Sequence, residues 1–313
     1  MPYADLKNDV VFRKVFGEHP DVLMGLLNDL LDREGDALIT SIEYLPPDQA
    51  PLVMGMKLSI LDVRCKDASG TVFVVEMQVL PVTGFLNRVV YNACKAYVGT
   101  LKKGRPYHEL TDVIAVSVYD FELWPDAGQR ARGEALVPMV SRWSMAEWTN
   151  GARRGFGQVQ YVFLELPKLG DTLPRTAVDR WAVLFRSAPD LTPATIVDVH
   201  LSEAQHHALE HAREENMTAQ ERDLIERSRE EVDQVRRIAE SAQVAGEARG
   251  EARGEARGEL TGRRHAVRTL ARIAGIALTA ADEARIDACD DATALDRWVA
   301  NGRSASAAEG LFR

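Results

Sequence analysis

Two neighbouring segments have the apolar, β-branched composition of buried strands, yet each carries an acidic residue. The first covers residues 57–65 and contains Asp62, and the second covers residues 71–79 and contains Glu76. Such strands are typical of sheets that are covered on both faces. A carboxylate buried there loses its hydration, which is costly unless a cation or hydrogen-bond donors replace the water. We therefore expect both acids to have specific partners.

The two segments are predicted to form a β-hairpin, because a short turn ending in Gly70 joins them. The two-residue period of a strand places Glu76 and Gln78 on one face, and the hairpin brings Asp62 across to them. Carboxylate oxygens suit a hard cation such as Mg²⁺. The sequence therefore predicts a divalent-metal site, since the strands supply few other partners for these groups. The alternative is structural pairing of Asp62 with Arg64, which lies on the same face of the strand.

Longer stretches of the chain are similar to a known family. The pattern of Asp62 followed by Glu76-x-Gln78 resembles the active-site core of the PD-(D/E)xK nuclease superfamily. Five further motifs occur in the matching order, at residues 8–17, 88–97, 103–110, 116–121 and 161–168. These motifs resemble those of the Rpn-type recombination-promoting nucleases, also called PD-(D/E)xK nuclease family transposases, and the resemblance covers residues 4–190.

This resemblance implies roles for individual residues. Asp62 and Glu76 match the two metal-binding carboxylates, and the backbone carbonyl of Met77 is the expected third ligand. Gln78 is the third catalytic residue and stands where the superfamily usually has Lys. Glutamine can orient a water molecule but supplies no positive charge. The sequence leaves open which of three basic residues replaces that charge: Lys57, Arg64 or Lys66.

The resemblance also implies a set of residues around the reacting groups. Arg88 and Lys95 match positions on the helix after the hairpin, and three further basic residues extend this expected contact with nucleic acid: Lys102, Lys103 and Arg105. Four further residues are expected to surround the catalytic residues and hold them in position without binding the metal: Asp9, Lys57, Arg64 and Tyr91. For each basic residue taken separately, an ordinary solvated face is the alternative. For Asp9 the alternative is stabilisation by the dipole of its own helix.

The implied reaction is Mg²⁺-dependent hydrolysis of a DNA phosphodiester that leaves a 3′-hydroxyl and a 5′-phosphate, with Mn²⁺ as a substitute ion. The runner-up is a weak or inactive nuclease fold that acts as a scaffold for nucleic acid or protein. Gln78 and the net charge of −9 favour this second interpretation, because dedicated DNA-binding proteins usually carry a basic excess.

Cysteine content and hydropathy bear on the location of the protein. The three cysteines are far apart in sequence, which predicts free thiols in a reducing cytoplasm. The first residues have no apolar leader, and no apolar run reaches the 18 residues that suggest a membrane helix. We expect a cytoplasmic protein without a membrane partner.

The order of elements predicts an α/β restriction-endonuclease-like core, with a mixed sheet flanked by helices. An amphipathic stretch at residues 8–32 predicts two helices separated at Pro20, residues 84–103 predict another helix, and residues 112–119 and 159–165 predict strands. We expect three parts, which are a nuclease-like domain at 1–195, a charged helical linker at 196–262 and a small helical module at 263–313.

The linker is predicted to be a long helix at residues 203–244, where Gly and Pro are absent. Apolar residues spaced by seven, at Ile225, Val232 and Ala239, predict a short coiled coil and a homodimer formed through residues 201–262. A Gly-Glu-Ala-Arg repeat follows from Gly246, in which like charges at i,i+4 and regular glycines weaken an isolated helix. We expect the repeat to order on pairing, with a neutral spacer as the alternative.

Overall fold

The computed structural model describes residues 3–49, 59–147, 155–170, 173–192, 195–196, 199–305 and 307–313. The chain divides into two compact units, Met1–Gln234 and Val235–Arg313. Lys57, a candidate source of positive charge, lies outside the described residues.

The first unit contains a mixed six-stranded sheet between two layers of helices. The sheet has the order β1-β4-β5-β6-β8-β7, in which β5, β6 and β8 run parallel and the remaining pairs are antiparallel. Two further strands pair separately. The strands are β1 (Ile42–Tyr44), β2 (Asp48–Gln49), β3 (Ser59–Ile60), β4 (Val63–Asp67), β5 (Val72–Gln78), β6 (Val113–Tyr119), β7 (Val140–Ala146) and β8 (Gly155–Glu165).

Helices of this unit cover both faces of the sheet, as the composition of its strands predicted. Helices α1, α2, α5 and α6 contribute to the core on one face, and α3 contributes to the core on the other. The helices are α1 (Asp9–Gly17), α2 (Pro20–Leu31), α3 (Phe85–Gly99), α4 (Asp126–Ala131), α5 (Ala177–Ser187) and α6 (Glu203–His211). The predicted α/β fold class is confirmed, and so is the separation of the first two helices at Pro20.

The predicted hairpin is present, but its first strand is shorter than expected. Strand β4 begins at Val63 and pairs with β5, so that Asp62 lies in a bend immediately before the strand. The chain leaves the sheet there because the N–H of Leu61 donates to the carbonyl of Pro47, 3.2 Å away. The prediction that Asp62 lies within one strand covering residues 57–65 is therefore wrong, and residues 57 and 58 lie outside the described residues.

The helix predicted at residues 203–244 is interrupted. Helix α6 ends at His211, and α7 (Ala219–Ile273) begins after Thr218. The N–H of Thr218 donates to Oε2 of Glu221 at 2.7 Å, and the N–H of Glu221 donates to the Thr218 hydroxyl at 3.2 Å. This reciprocal capping box starts a new helix, and its Thr-x-x-Glu pattern is visible in the sequence.

The first part of α7 packs on the sheet domain. Ile225 contacts the main hydrophobic core, and Lys14 Nζ of α1 lies 2.8 Å from Oε1 of Glu221. The first compact unit therefore continues past residue 195 to Gln234. The three-part division at 195 and 262 stays a prediction.

The second unit has its own small core, which includes Val267, Ile286, Leu295 and Trp298. Its short helices are α8 (Ala280–Ala288), α9 (Ala292–Asn301) and α10 (Ala308–Leu311). The Gly-Glu-Ala-Arg repeats lie within the continuous helix α7 and are exposed. Their predicted ordering on pairing concerns the isolated segment and stays a prediction.

Among the described residues, no helix combines the length and the apolar character that a membrane crossing requires. All three cysteines are described and are free thiols, as predicted.

Replacing Glu221 with glutamine is expected to lower the free energy of unfolding at pH 7 by about 1 kcal/mol, because the contact with Lys14 loses its charge while the cap keeps an acceptor. Lys14 and Thr218 lower the pKa of Glu221 from 4.5 to about 2. This contribution is therefore fully present above pH 4.5 and is lost as the pH falls towards 2.

Urea denaturation of parent and Glu221→Gln at several pH values measures the difference, with Glu230→Gln, an exposed acid on the same helix, as the control. A difference that stays constant down to pH 2 contradicts the prediction.

Candidate active site

A cleft of about 1020 Å³ lies at the carboxyl end of β5. Asp62, Glu76 and Gln78 all line it, so the structure brings together the three residues that the sequence selected. Asp9 of α1, together with Arg88 and Tyr91 of α3, also lines the cleft. The site therefore combines a strand end with the sides of two helices.

Asp62 is held in place by the backbone of β5. Its Oδ2 accepts a hydrogen bond from the N–H of Met77 at 2.9 Å. From the bend that precedes β4, the carboxylate thereby satisfies a backbone donor of β5. Its other oxygen, Oδ1, lies 3.1 Å from Nη2 of Arg13 on α1.

Glu76 is the most deeply buried acid of the cleft, with its side chain 9% exposed. Its Oε1 accepts a hydrogen bond from Nδ2 of Asn92 at 2.8 Å. Its Oε2 is buried and has no hydrogen-bond partner among the described residues; Nη2 of Arg88 is 3.9 Å away. Desolvation raises the pKa of Glu76, Arg88 and Asn92 oppose this shift, and the charge of Asp62 adds to it.

Both acids thus lie near a guanidinium group, although the prediction of a metal site assumed that few partners other than a metal ion were available to them. The cations come from the flanking helices and not from the strands. Arg64, the partner considered from the sequence, does not line the cleft, and its buried Nε has no hydrogen-bond partner among the described residues. Burial lowers the pKa of Arg64.

Gln78 is held by two hydrogen bonds. Its Oε1 accepts from Nη2 of Arg88, and its Nε2 donates to the carbonyl of Leu80 at 3.0 Å. The guanidinium of Arg88 therefore contacts the residue that stands at the expected lysine position. Lys66, another candidate for that charge, instead lies 2.9 Å from Glu43 at the edge of the sheet.

The donor set can be tested against a divalent metal ion. Of the three acids that line the cleft, Asp62 and Glu76 match the expected metal ligands, and the buried Oε2 of Glu76 has no hydrogen-bond partner among the described residues. No group of three or more His, Cys, Asp or Glu residues suited to a metal occurs in the described part of the chain. The residues thus fit a hard cation that takes two protein carboxylates and completes its shell with carbonyl and water oxygens. Binding through the Met77 carbonyl stays a prediction.

The predicted nucleic-acid contacts fall into three environments. Arg88 lines the cleft, whereas Lys95 is buried, with its ammonium 5.8 Å from the ring centroid of Tyr91. A direct phosphate contact by Lys95 therefore disagrees with its burial. Three residues after α3 are exposed but do not line the cleft, namely Lys102, Lys103 and Arg105.

Of the expected supporting residues, Asp9 and Tyr91 are in the cleft. Desolvation raises the pKa of Asp9, and the neighbouring charge of Asp62 adds to that effect. A third acid thus increases the negative potential that a cation would meet here.

Sequence reasoning missed Arg13 and the role of Asn92. Both could have been found by helical spacing, since Arg13 follows Asp9 by four residues and Asn92 follows Arg88 by four. Residues with this spacing share a helix face, so Arg13 is expected next to Asp9, and Asn92 next to Arg88, both of which were already candidates. Asn92 is also a polar residue on the buried face of α3.

The mixed sheet flanked by helices, with Asp62 and Glu76 lining one cleft, agrees with the resemblance of the sequence to the PD-(D/E)xK nuclease class. The family model of the PD-(D/E)XK nuclease family transposases matches residues 6–241, and the chain belongs to this family. Nucleases of this family typically use divalent metal ions and act on DNA. No curated protein and no solved structure matches the chain.

Replacing Glu76 with glutamine is expected to raise the free energy of unfolding by about 1 kcal/mol in EDTA, because a buried charge is removed while Asn92 keeps its acceptor. Thermal and urea denaturation measure the change, with exposed Glu122→Gln as the control. A loss of stability in Glu76→Gln contradicts the expectation that burial of the charged carboxylate lowers the free energy of unfolding.

Proposed function

We propose that this protein is a Mg²⁺-dependent DNA endonuclease, with Mn²⁺ as a substitute ion, that acts in recombination, in transposition-like DNA processing or in defence. The main support is the pairing of Asp62 and Glu76 in one cleft, where a buried oxygen of Glu76 lacks a hydrogen-bond partner among the described residues. Family membership supports the nuclease chemistry. The free thiols are consistent with a cytoplasmic location.

In this proposal Asp62, Glu76 and the Met77 carbonyl hold the ion. When bound, the ion lowers the pKa of a coordinated water and polarises the scissile phosphate. The N–H of Met77 keeps the Asp62 carboxylate aimed into the cleft, and Asn92 does the same for Glu76. Each acid therefore has one oxygen occupied by an anchoring hydrogen bond and one directed to other partners.

Gln78 orients the attacking water, and Arg88 supplies the positive charge that glutamine lacks. The contact between Arg88 and the Gln78 amide supports this assignment, since it places the guanidinium beside the expected lysine position. Arginine binds phosphate oxygens through two donors at once, which suits a reacting phosphodiester. Among the described candidates for this charge, Arg64 and Lys66 lie outside the cleft.

Plasmid nicking tests the proposal. With Mg²⁺ or Mn²⁺ the parent should nick supercoiled DNA, and EDTA should stop the reaction. Asp62→Ala and Glu76→Ala should slow nicking by roughly 100-fold or more, because each removes a ligand worth several kcal/mol in the transition state. Glu43→Ala, an exposed acid on β1 of the same sheet, is the control and should nick like the parent.

Parent-like nicking by either cleft variant would show that the site assignment is wrong. A parent that binds DNA without nicking it, in either metal, would favour the alternative function of an interaction scaffold.

We also propose that the protein forms a homodimer through the exposed part of α7. Two residues of the predicted seam make contacts within the first unit: Ile225 packs against its core, and Val232 lines the cleft. The unused apolar residues of the helix follow them and are more than half exposed, at Val235, Ile238 and Val244. A scaffold function through the helical half of the chain would use the same surface.

Light scattering should give twice the 34.7 kDa of one chain for the parent. Val235→Glu combined with Ile238→Glu should give the single-chain mass, because charges at a coiled-coil seam are destabilising. Arg236→Glu combined with Arg237→Glu on neighbouring exposed positions is the control for added acid. A parent that elutes as one chain at micromolar concentration contradicts the dimer.

A further inference from the structure

Two arginines from different helices converge on the acids of the cleft. Arg13 of α1 contacts Asp62 at 3.1 Å, and Arg88 of α3 lies 3.9 Å from Glu76. The arginine side chains are 51% and 46% exposed, whereas the acids are 15% and 9% exposed. The anions are thus fixed in the protein, and the cations reach them from solvent.

Hydrogen bonds to other parts of the protein hold the two acids more firmly than the two arginines. Asp62 is tied to the N–H of Met77, and Glu76 is tied to Asn92. Among the described residues the Arg13 side chain forms one hydrogen-bonded ion pair, with Asp62, and it also interacts electrostatically with Asp9. Arg88 also contacts Gln78 and lies over the ring of Phe85, with its guanidinium carbon 5.2 Å from the ring centroid. Either guanidinium can therefore move without disturbing the position of an acid.

The arginine of each pair is about half-exposed, and Arg88 lies 3.9 Å from its acid, so solvent weakens the contacts and a stronger partner can replace the guanidinium. A divalent cation competes with the arginines for the same carboxylate oxygens, since both bind as positive charges. Phosphate competes with the carboxylates for the arginines, and it offers the guanidinium a two-donor contact. Both exchanges leave every charged group with an opposite charge.

We propose that Arg13 and Arg88 are exchangeable counter-ions that hold Asp62 and Glu76 in the free protein and transfer to DNA phosphates when the substrate binds. Transfer frees the carboxylates, so DNA strengthens metal binding and metal strengthens DNA binding by the same factor. The inference rests on the proposed function, because it assumes that this cleft binds both metal and DNA. Arg13, which family membership did not identify, is thereby assigned as a residue that contacts the substrate.

The exchange has a consequence for the free enzyme. Without DNA, the arginines reduce the affinity of the cleft for the ion, which limits chemistry away from the substrate. Asp9 faces the same cleft and adds negative charge near Asp62, so departure of Arg13 leaves a strongly anionic site. The fully assembled site is therefore expected only when DNA, metal and protein are together.

Mn²⁺ binding measured by electron paramagnetic resonance tests the inference, with and without a phosphorothioate duplex that resists cleavage. Binding to the duplex alone and to Asp62→Ala protein supplies the background. Without DNA, Arg13→Gln and Arg88→Gln should each bind Mn²⁺ about 2- to 5-fold more tightly than the parent, because a competing cation is gone. Arg13→Lys keeps the charge and should remain close to the parent.

DNA should tighten Mn²⁺ binding in the parent, and each glutamine variant should show a smaller effect. Arg132→Gln is the matched control, since it breaks a surface ion pair with Glu134, at 2.7 Å, outside the cleft. Circular dichroism confirms that each variant is folded.

The possible outcomes are distinguishable. Tighter Mn²⁺ binding and weaker coupling in the glutamine variants support the inference. Parent-like affinity and coupling in both variants overturn it, while the proposed metal site remains. Equal Mn²⁺ binding by parent and Asp62→Ala overturns the metal site itself, and with it both proposals.

Discussion

The burial of the Glu76 carboxylate at the carboxyl end of β5 is the constraint to which the rest of the cleft responds. A charge with so little exposure needs fixed partners, and the structure supplies one hydrogen bond from Asn92 and a distant guanidinium from Arg88. One oxygen stays without a hydrogen-bond partner among the described residues. Asp62 and Asp9 increase the negative charge nearby. Such an arrangement opposes stability and favours the binding of a cation.

The positive charge of the cleft comes from helices, although the acids come from the hairpin. The three-layer fold explains this division, because α1 and α3 contribute to cores on opposite faces of the sheet and meet its polar residues at the strand end. Gln78 therefore need not carry the charge that lysine would bring. A helix residue such as Arg88 can supply it from outside the strand, and its partial exposure allows it to change partners.

Helix α7 serves two environments. Its first turns are joined to the sheet domain through the Thr218–Glu221 cap, the Lys14 contact and the packing of Ile225. The helix then continues through Val235 and the charged repeats, where its apolar residues are exposed. Apolar residues in one heptad pattern thus pack against the sheet domain in the first part of the helix and are exposed in the later part. The same spacing suits packing within a chain and pairing between two helices.

Much of the sheet domain was predictable from local patterns. Continuous apolar strands, the break at Pro20 and the turn at Gly70 depend on neighbouring residues, so periodicity and backbone preferences predict them. The bend at Asp62 was missed because it depends on a hydrogen bond between Leu61 and the distant Pro47. The separate start of α7 was missed even though its Thr-x-x-Glu cap is local.

By itself, the sequence determined that Glu76 and Gln78 lie on one face of a buried strand and that a hairpin brings Asp62 across to them, because strand alternation and a short turn leave few other arrangements. Only the tertiary structure decided which cations meet those acids. Arg13 lies 49 residues before Asp62 in the chain, and its approach depends on how α1 packs against the sheet. Lys95 shows the converse, since packing of α3 buries a charge that the resemblance had assigned to contact with phosphate. Contacts between elements that are distant in sequence depend on tertiary packing, so a local sequence pattern does not predict them.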